Sequence, residues 1–326
     1  MKKLIPFLLL IFVAPLSAQM FSGGAGNLSL AVEPRLGVTY GAVGEYLYMQ
    51  KSDGTWKKNS YLEWEEKTLV TAGLGIFGGY KGVSLKVYGD IAFPLRCGDM
   101  YDSDWKLDAR PDVKTNYSVH ENTATLNVTT GVVLSYDVTP AERVIISPAA
   151  EASYAYKSFE ARNGYGWYGD TVAWDDPAAH YYPDGKYILG AIDYQCHLFQ
   201  VFAGLQATFL LTERLSLQAG AFVLPYAYTY VEDCHYTNKK RTEGRYYVDI
   251  VHTHFTRYKG FVSCAYQLNQ WLALGITVTG LAGDTEKGSL YDEAPDTKKI
   301  YRSKGYQSGF SLSALSVSLS ANIRIF

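Results

Sequence analysis

The chain has 326 residues, 30 basic and 32 acidic side chains, and a formal charge of −2, together with 28 Tyr, 14 Phe, 6 Trp and 30 Gly. This balance carries no basic excess of the kind that binds nucleic acid, so no nucleic-acid partner is expected. Beyond the N-terminus no apolar run reaches about 18 residues, which argues against helical membrane spans. A Tyr- and Gly-rich chain suits either a β-barrel with one face toward lipid or a secreted β-sandwich.

The chain opens with a positive pair, Lys2 and Lys3, an apolar stretch from Leu4 to Val13, and small residues at Ser17 and Ala18. This reads as a secretory signal peptide over residues 1–18, leaving 19–326 as one barrel domain. No cysteine follows closely, so a lipoprotein anchor is not expected. Ten alternating segments then follow, near 28–50, 60–80, 83–98, 116–138, 143–164, 186–211, 214–236, 245–267, 271–285 and 306–326. In 272–281, Leu272, Leu274, Ile276 and Val278 share one face and Ala273, Gly275, Thr277 and Thr279 the other. In 124–136 the apolar row is Ala124, Leu126, Val128, Val132, Leu134 and Tyr136. Period two marks strands. On the seventh segment, Phe222, Leu224, Tyr226, Tyr228 and Tyr230 form the expected lipid-facing row.

Connections near 78–83, 138–143, 211–215 and 268–271 are tight, whereas those near 51–59, 99–115, 165–185, 237–244 and 286–305 are long and polar. Alternating short and long connections over an even number of strands predict an all-β, ten-stranded, antiparallel up-and-down transmembrane barrel, with short turns periplasmic and long loops outside. Segments of about 20 residues exceed the 9–11 that a crossing strand needs, so the barrel should project outward beyond the outer membrane. A closed barrel has no edge that demands a partner, and a monomer is expected. Phe326 ends the chain on the face opposite Ile325.

The third segment leads into a loop, Met100-Tyr101-Asp102-Ser103-Asp104-Trp105, and the seventh rises into Val231-Glu232-Asp233-Cys234-His235-Tyr236. At period two, Asp102 and Asp104 share a face, and so do Asp233 and His235. Strands three and seven lie nearly opposite each other across the mouth. A water between the pairs could be deprotonated by His235 while Asp233 orients the imidazole. Ordinary loop polarity is the alternative for either pattern taken alone.

At this point the sequence resembles the omptin family of outer-membrane proteases. The likeness includes Leu36-Gly37 with Glu45 and Tyr48, the Asp102-Ser103-Asp104-Trp105 stretch, Phe159 to Gly164, Tyr182 to Lys186, Asp233 to Tyr236 and Gly288 to Asp292. The resemblance implies a vase-shaped barrel that cleaves peptides or proteins at the cell surface. It implies that Asp233 and His235 activate a water and that Asp102 and Asp104 help hold it, with no metal and no other cofactor. It also implies a pocket for a basic residue before the scissile bond. Glu45 matches one of that pocket's two acids and Val231 stands at the other, so a weakened or altered dibasic preference is expected. The resemblance also implies outward-facing residues that bind lipopolysaccharide; Ala152, Tyr154 and Tyr156 stand where these would be, so a dependence on lipopolysaccharide has little support in this sequence.

Other features are read more plainly. Cys97, Cys196, Cys234 and Cys264 show no metal spacing and are expected as free thiols. His252 and His254 share a face and could ligate a metal, but no third ligand is evident and they are expected to line the lumen. Trp64, Trp167, Tyr168, Trp174 and Trp271 are expected in interfacial girdles. Glu151 and Asp90 are expected in polar networks inside the barrel. The competing reading of the whole chain is a non-enzymatic barrel, an adhesin or a narrow pore, which would have an open lumen.

Overall fold

The computed structural model describes residues 28–183, 192–238, 240–293 and 300–325. The expected signal peptide, Phe326 and most of the segment matching Tyr182 to Lys186 lie outside them. The first strands are β1 (Ser29–Gln50) and β2 (Trp56–Tyr80), then a third strand in two pieces, β3 (Val83–Ala92) and β4 (Leu95–Asp104). Then come β5 (Asn116–Tyr136), a short β6 (Val138–Ala141), β7 (Val144–Tyr168), a short β8 (His180–Tyr182), β9 (Ile192–Leu210) and β10 (Leu215–Tyr236). The eighth strand is β11 (Gly244–Thr253) with β12 (Arg257–Asn269), and the ninth is β13 (Leu272–Gly283) with β14 (Glu286–Glu293). The tenth, β15 (Ile300–Arg324), pairs back onto β1 from Ala31↔Arg324 to Met49↔Tyr306. Ten antiparallel strands therefore close into a ring.

The expected ten strands are all present, and several run further than alternation indicated. The third strand continues to Asp104, so Asp102 and Asp104 lie on β4 and not in a loop. The ninth continues to Glu293. β2, β7 and β15 each have 25 residues. At about 3.3 Å per residue and a tilt near 40°, such a strand rises about 60 Å, more than twice an apolar band of about 25 Å.

Irregularities recur around the waist of this tall barrel. The third strand breaks before Leu95 at Pro94, which has no N–H to give a ladder. The eighth breaks between Thr253 and Arg257, where Phe255 has a φ of 57°. The β9–β10 register shifts between Val223 and Tyr226, and the β5–β7 register between Ala124 and Leu126. A bulge adds one residue and inverts the phase beyond it. On β10, Phe222 and Leu224 are therefore buried in the lumen, while Tyr226, Tyr228 and Tyr230 turn outward; the lipid-facing row expected from 222 to 230 is split at Pro225. Ala124 is buried inside for the same reason, although Leu126, Val132 and Leu134 face out.

Below the waist the outer surface is an apolar belt, with Leu36, Leu74, Leu205, Leu274, Val317 and Leu319 all exposed. Inside, the lumen is filled. Lys259 Nζ lies 2.6 Å from Glu151 Oε2, and Tyr88 Oη donates to Glu151 Oε1 at 2.6 Å. Arg35 grips both oxygens of Asp90 at 2.9 Å. Higher up, Lys157 reaches the fully buried Glu66, and Arg257 reaches Glu286 at 2.5 Å. Between these charges and the mouth sits an apolar plug of Trp64, Met100, Phe159, Tyr194, Leu198 and Phe310.

Two further expectations are corrected. Trp64 is not interfacial: it has no exposed surface and stacks on Phe159, with ring centroids 5.9 Å apart. His252 and His254 do not line the lumen, because Val251 and Thr253 take the inward positions on β11. Both histidines are exposed beside the outward tyrosines, His252 lying 5.0 Å from the Tyr228 ring. Cys97, Cys196, Cys234 and Cys264 are free.

Candidate active site

At the open end, β4 brings an acidic pair and β10 an acid–histidine pair to the top of the lumen. Asp102 is held between Leu62 of β2 and Ser118 of β5, and Asp104 between Ser60 and Asn116. Asp233 lies between Tyr194 of β9 and Tyr247 of β11. His235 follows two positions on, on the same face, as period two requires.

Asp233 is 2% exposed, and its Oδ2 lies 2.6 Å from Nε2 of the half-exposed His235. The distance is that of an ion pair, but the N–H is not aligned on the oxygen as a hydrogen bond. The pairing occupies Nε2 and leaves Nδ1 as the free basic position. The edge of Tyr247 confines the ring, at 5.3 Å between centroids and 80° between planes. Burial works against the imidazolium, but the charges of Asp233, Asp102 and Asp104 outweigh it and hold the His235 pKa above its usual value.

The two acids of β4 differ. Asp104 accepts from Asn116 Nδ2 at 3.3 Å and sits 3.6 Å from Lys106 Nζ. Asp102 has no such partner among the described residues. Burial, reinforced by the neighbouring charge of Asp104, pushes its pKa up to about 7. Asp102 therefore carries a proton about half the time at neutral pH. Because its folded pKa exceeds the usual 3.8, the stability it contributes is full in acid and is lost as pH rises through about 7. Asp102→Asn should consequently unfold at higher urea than wild type at about pH 8, by a few kcal/mol at most. The two should converge at about pH 4. A variant no more stable than wild type at the higher pH would contradict this assignment.

His120 of β5 supports the wall behind Asp102. Its Nδ1–H donates to the Asn163 carbonyl at 2.7 Å, so Nε2 accepts from Ser118 Oγ at 3.0 Å. Burial lowers its pKa to about 4 and keeps it neutral. The acceptor is presented by a bulge in which Asn163 and Gly164 have φ of 54° and 112°. A Cβ at Gly164 would fall 2.2 Å from the Val119 carbonyl oxygen, so no other residue fits there without a shift.

Beneath the Asp233–His235 pair, Glu45 of β1 points into the lumen beside Phe310 and Leu62, its cross-strand partners. Its pKa is held well above the carboxylate range, first by burial and then by Asp233, Asp249 and Asp102. Val231, the other expected pocket residue, is 1% exposed. Glu232 is exposed and accepts from Tyr230 Oη at 2.6 Å, so it turns away from this pocket. Asp249 was not singled out by the sequence. It is the β11 partner of Val231, and its acid can be found only once the β10–β11 register is known.

The Omptin family model matches residues 26–313. No curated protein matches the chain. Among solved structures the chain is similar to the crystal structure of the outer membrane protease OmpT from Escherichia coli. The TM-score is 0.76 at 17% sequence identity, over 91% of this chain and 97% of that one. At this identity the likeness establishes the fold. The outer membrane protein OprG from Pseudomonas aeruginosa also matches, with a TM-score of 0.38 and 9% identity over 93% of this chain and 98% of that one.

Proposed function

The chain belongs to the Omptin family of outer-membrane proteases, and from this premise we propose that it is an endopeptidase whose mouth faces the cell exterior and whose nucleophile is a water activated by Asp233 and His235. The observation that carries the proposal is the 2.6 Å pairing of buried Asp233 with His235, facing an acidic pair whose Asp102 holds a proton near neutrality.

In the step we infer, Nδ1 of His235 takes a proton from the water as its oxygen bonds to the scissile carbonyl carbon. Asp233 stabilises the imidazolium that forms. The negative charge moves to the carbonyl oxygen. Asp102 in its protonated form can donate a hydrogen bond to that oxygen, and Asp104, anchored by Asn116 and Lys106, keeps the Asp102 pKa raised. His235 then returns its proton to the leaving amine as the C–N bond breaks. No metal or prosthetic group enters this scheme. Glu45 and the Val231 wall form the pocket for the side chain before the cut, with a preference for basic residues.

The filled lumen supports a protease over the competing pore reading, because ion pairs and the Trp64 plug occupy the space that conduction would need. The test is incubation of refolded protein with a mixed peptide library and mass spectrometry of the new termini. Internal cuts are expected. Intact peptides, with ion conductance in planar bilayers, would overturn the reading in favour of a pore.

The outer wall bears on lipid dependence. Tyr154 bonds His197 at 2.8 Å, Tyr156 lies beside it, and Lys157 turns inward to Glu66. That patch offers lipid phosphates no permanent cation. Adding lipopolysaccharide to detergent-refolded protein should therefore change kcat/KM by less than about threefold. Strict dependence on the lipid would refute this.

A further inference from the structure

The pocket below His235 holds an unusual set of polar atoms. Glu45 Oε2, Asp249 Oδ1 and Tyr194 Oη are each buried and lack a hydrogen-bond partner among the described residues. The fold brings them to one place: Tyr194 and Val231 lie in the same buried cluster as Leu62 and Phe310, the cross-strand partners of Glu45, while Tyr194 pairs with Asp233 and Val231 with Asp249. Tyr194 is fully buried and Asp249 is 2% exposed. Neither Glu45 nor Asp249 forms an ion pair among the described residues. Elsewhere in this lumen buried acids are matched by cations, as Glu66 is by Lys157, Glu151 by Lys259 and Glu286 by Arg257. Unpartnered buried polar atoms are rare in folded proteins, and several together mark a place that a ligand completes.

Register explains how the acid arrives. β10 and β11 pair so that Val231 faces Asp249, with Asp233 facing Tyr247. Directly paired residues point to the same face. The apolar Val231 and the acidic Asp249 thus stand side by side in one wall, opposite Glu45.

We propose that Asp249 is the second acid of the pocket, supplied from β11 where β10 carries Val231, and that with Glu45 it selects an arginine or lysine before the scissile bond. This rests on the endopeptidase reading above. A guanidinium has a fork of donors that can satisfy two carboxylates at once, and the Tyr194 oxygen can accept a third bond. The methyl groups of Val231 pack on the aliphatic stem. Burial and the charge of Asp233 hold the pKa values of both acids up, so a cation entering would displace protons and bind more tightly as pH rises. The dibasic preference would be restored by a neighbouring strand and not lost with the acid at 231.

The test measures kcat/KM on matched fluorogenic peptides with Arg, Lys, Gln or Met before the bond, using full-length refolded protein. Asp249→Asn should cut the preference for Arg over Met by about 10- to 100-fold. Adding Val231→Asp to Asp249→Asn returns a carboxylate to the wall from the other strand and should restore most of the preference. A wild type that prefers neutral residues would overturn the proposal, as would an Asp249→Asn protein with unchanged preference. If Asp249→Asn does not fold, the double variant decides alone, and its failure to prefer Arg also overturns the proposal. A wild type that cleaves no peptide at all sinks the endopeptidase reading, which is a different result.

Discussion

Asp233→Asn should lower kcat by about 10³-fold while changing KM little. The carboxylate is 2% exposed and touches His235 at 2.6 Å, so its proposed effect on the substrate runs through the imidazole. Its amide replacement keeps the shape but loses the charge that steadies the imidazolium. Asp233 is also the first of the charges that raise the His235 pKa against the opposing effect of burial. Removing it should move the acid limb of the kcat/KM profile to lower pH, because a base of lower pKa is deprotonated earlier. A merely structural role would lower activity without moving that limb. The variant should fold at least as well as wild type, since Asp233 also raises the pKa values of Glu45 and Asp249. An Asp233→Asn protein with wild-type kcat would remove Asp233 from the mechanism.

The largest stability effect should come from Glu286→Ala. Arg257 is wholly buried, and its guanidinium meets Glu286 at 2.5 Å and the Phe310 ring at 5.0 Å. Its Nε and Nη1 already lack partners among the described residues. Thr256 Oγ1 donates to the other Glu286 oxygen at 2.7 Å. Truncating the acid leaves a desolvated cation in the lumen, which should cost about 3–5 kcal/mol. Replacing both members by leucine removes the charge with its partner, and most of the loss should then disappear. Urea unfolding in lipid vesicles measures both. A Glu286→Ala midpoint equal to wild type would show that water enters the lumen at this level.

Much of the barrel was legible because period two has a direct physical cause. Leu274, Ile276 and Val278 alternate with small residues, and all three lie on the exposed face. The alternating connection lengths revealed the two ends. The candidate catalytic pairs were legible for a similar reason: each is an i, i+2 doublet, so one strand is enough to put both members on one face.

What alternation could not convey was where it resets. The shift between Val223 and Tyr226 inverts β10, so Phe222 and Leu224 turn inward although their spacing matches the outward tyrosines. Pro225 was the available signal, since a proline inside a strand marks an edge or a bulge. Trp64 was misplaced because an aromatic near a strand end suits an interface and a lumen plug equally well. His252 and His254 were misplaced for want of a phase reference, which Val251 and Thr253 supply. Asp249 was invisible because its neighbour in space, Val231, is 18 positions away and related to it only by register. The hairpin pairing of Tyr236 with Gly244 would have fixed that register and exposed the second acid.

His235 and Asp233 are proposed to activate the water that cuts the peptide. The most direct measurement is the hydrolysis rate of one fluorogenic peptide with arginine before the bond, by refolded wild type and by His235→Ala, at equal folded fraction. We predict turnover by wild type and a loss of about 10³-fold or more in the variant. Equal rates for the two proteins would contradict it.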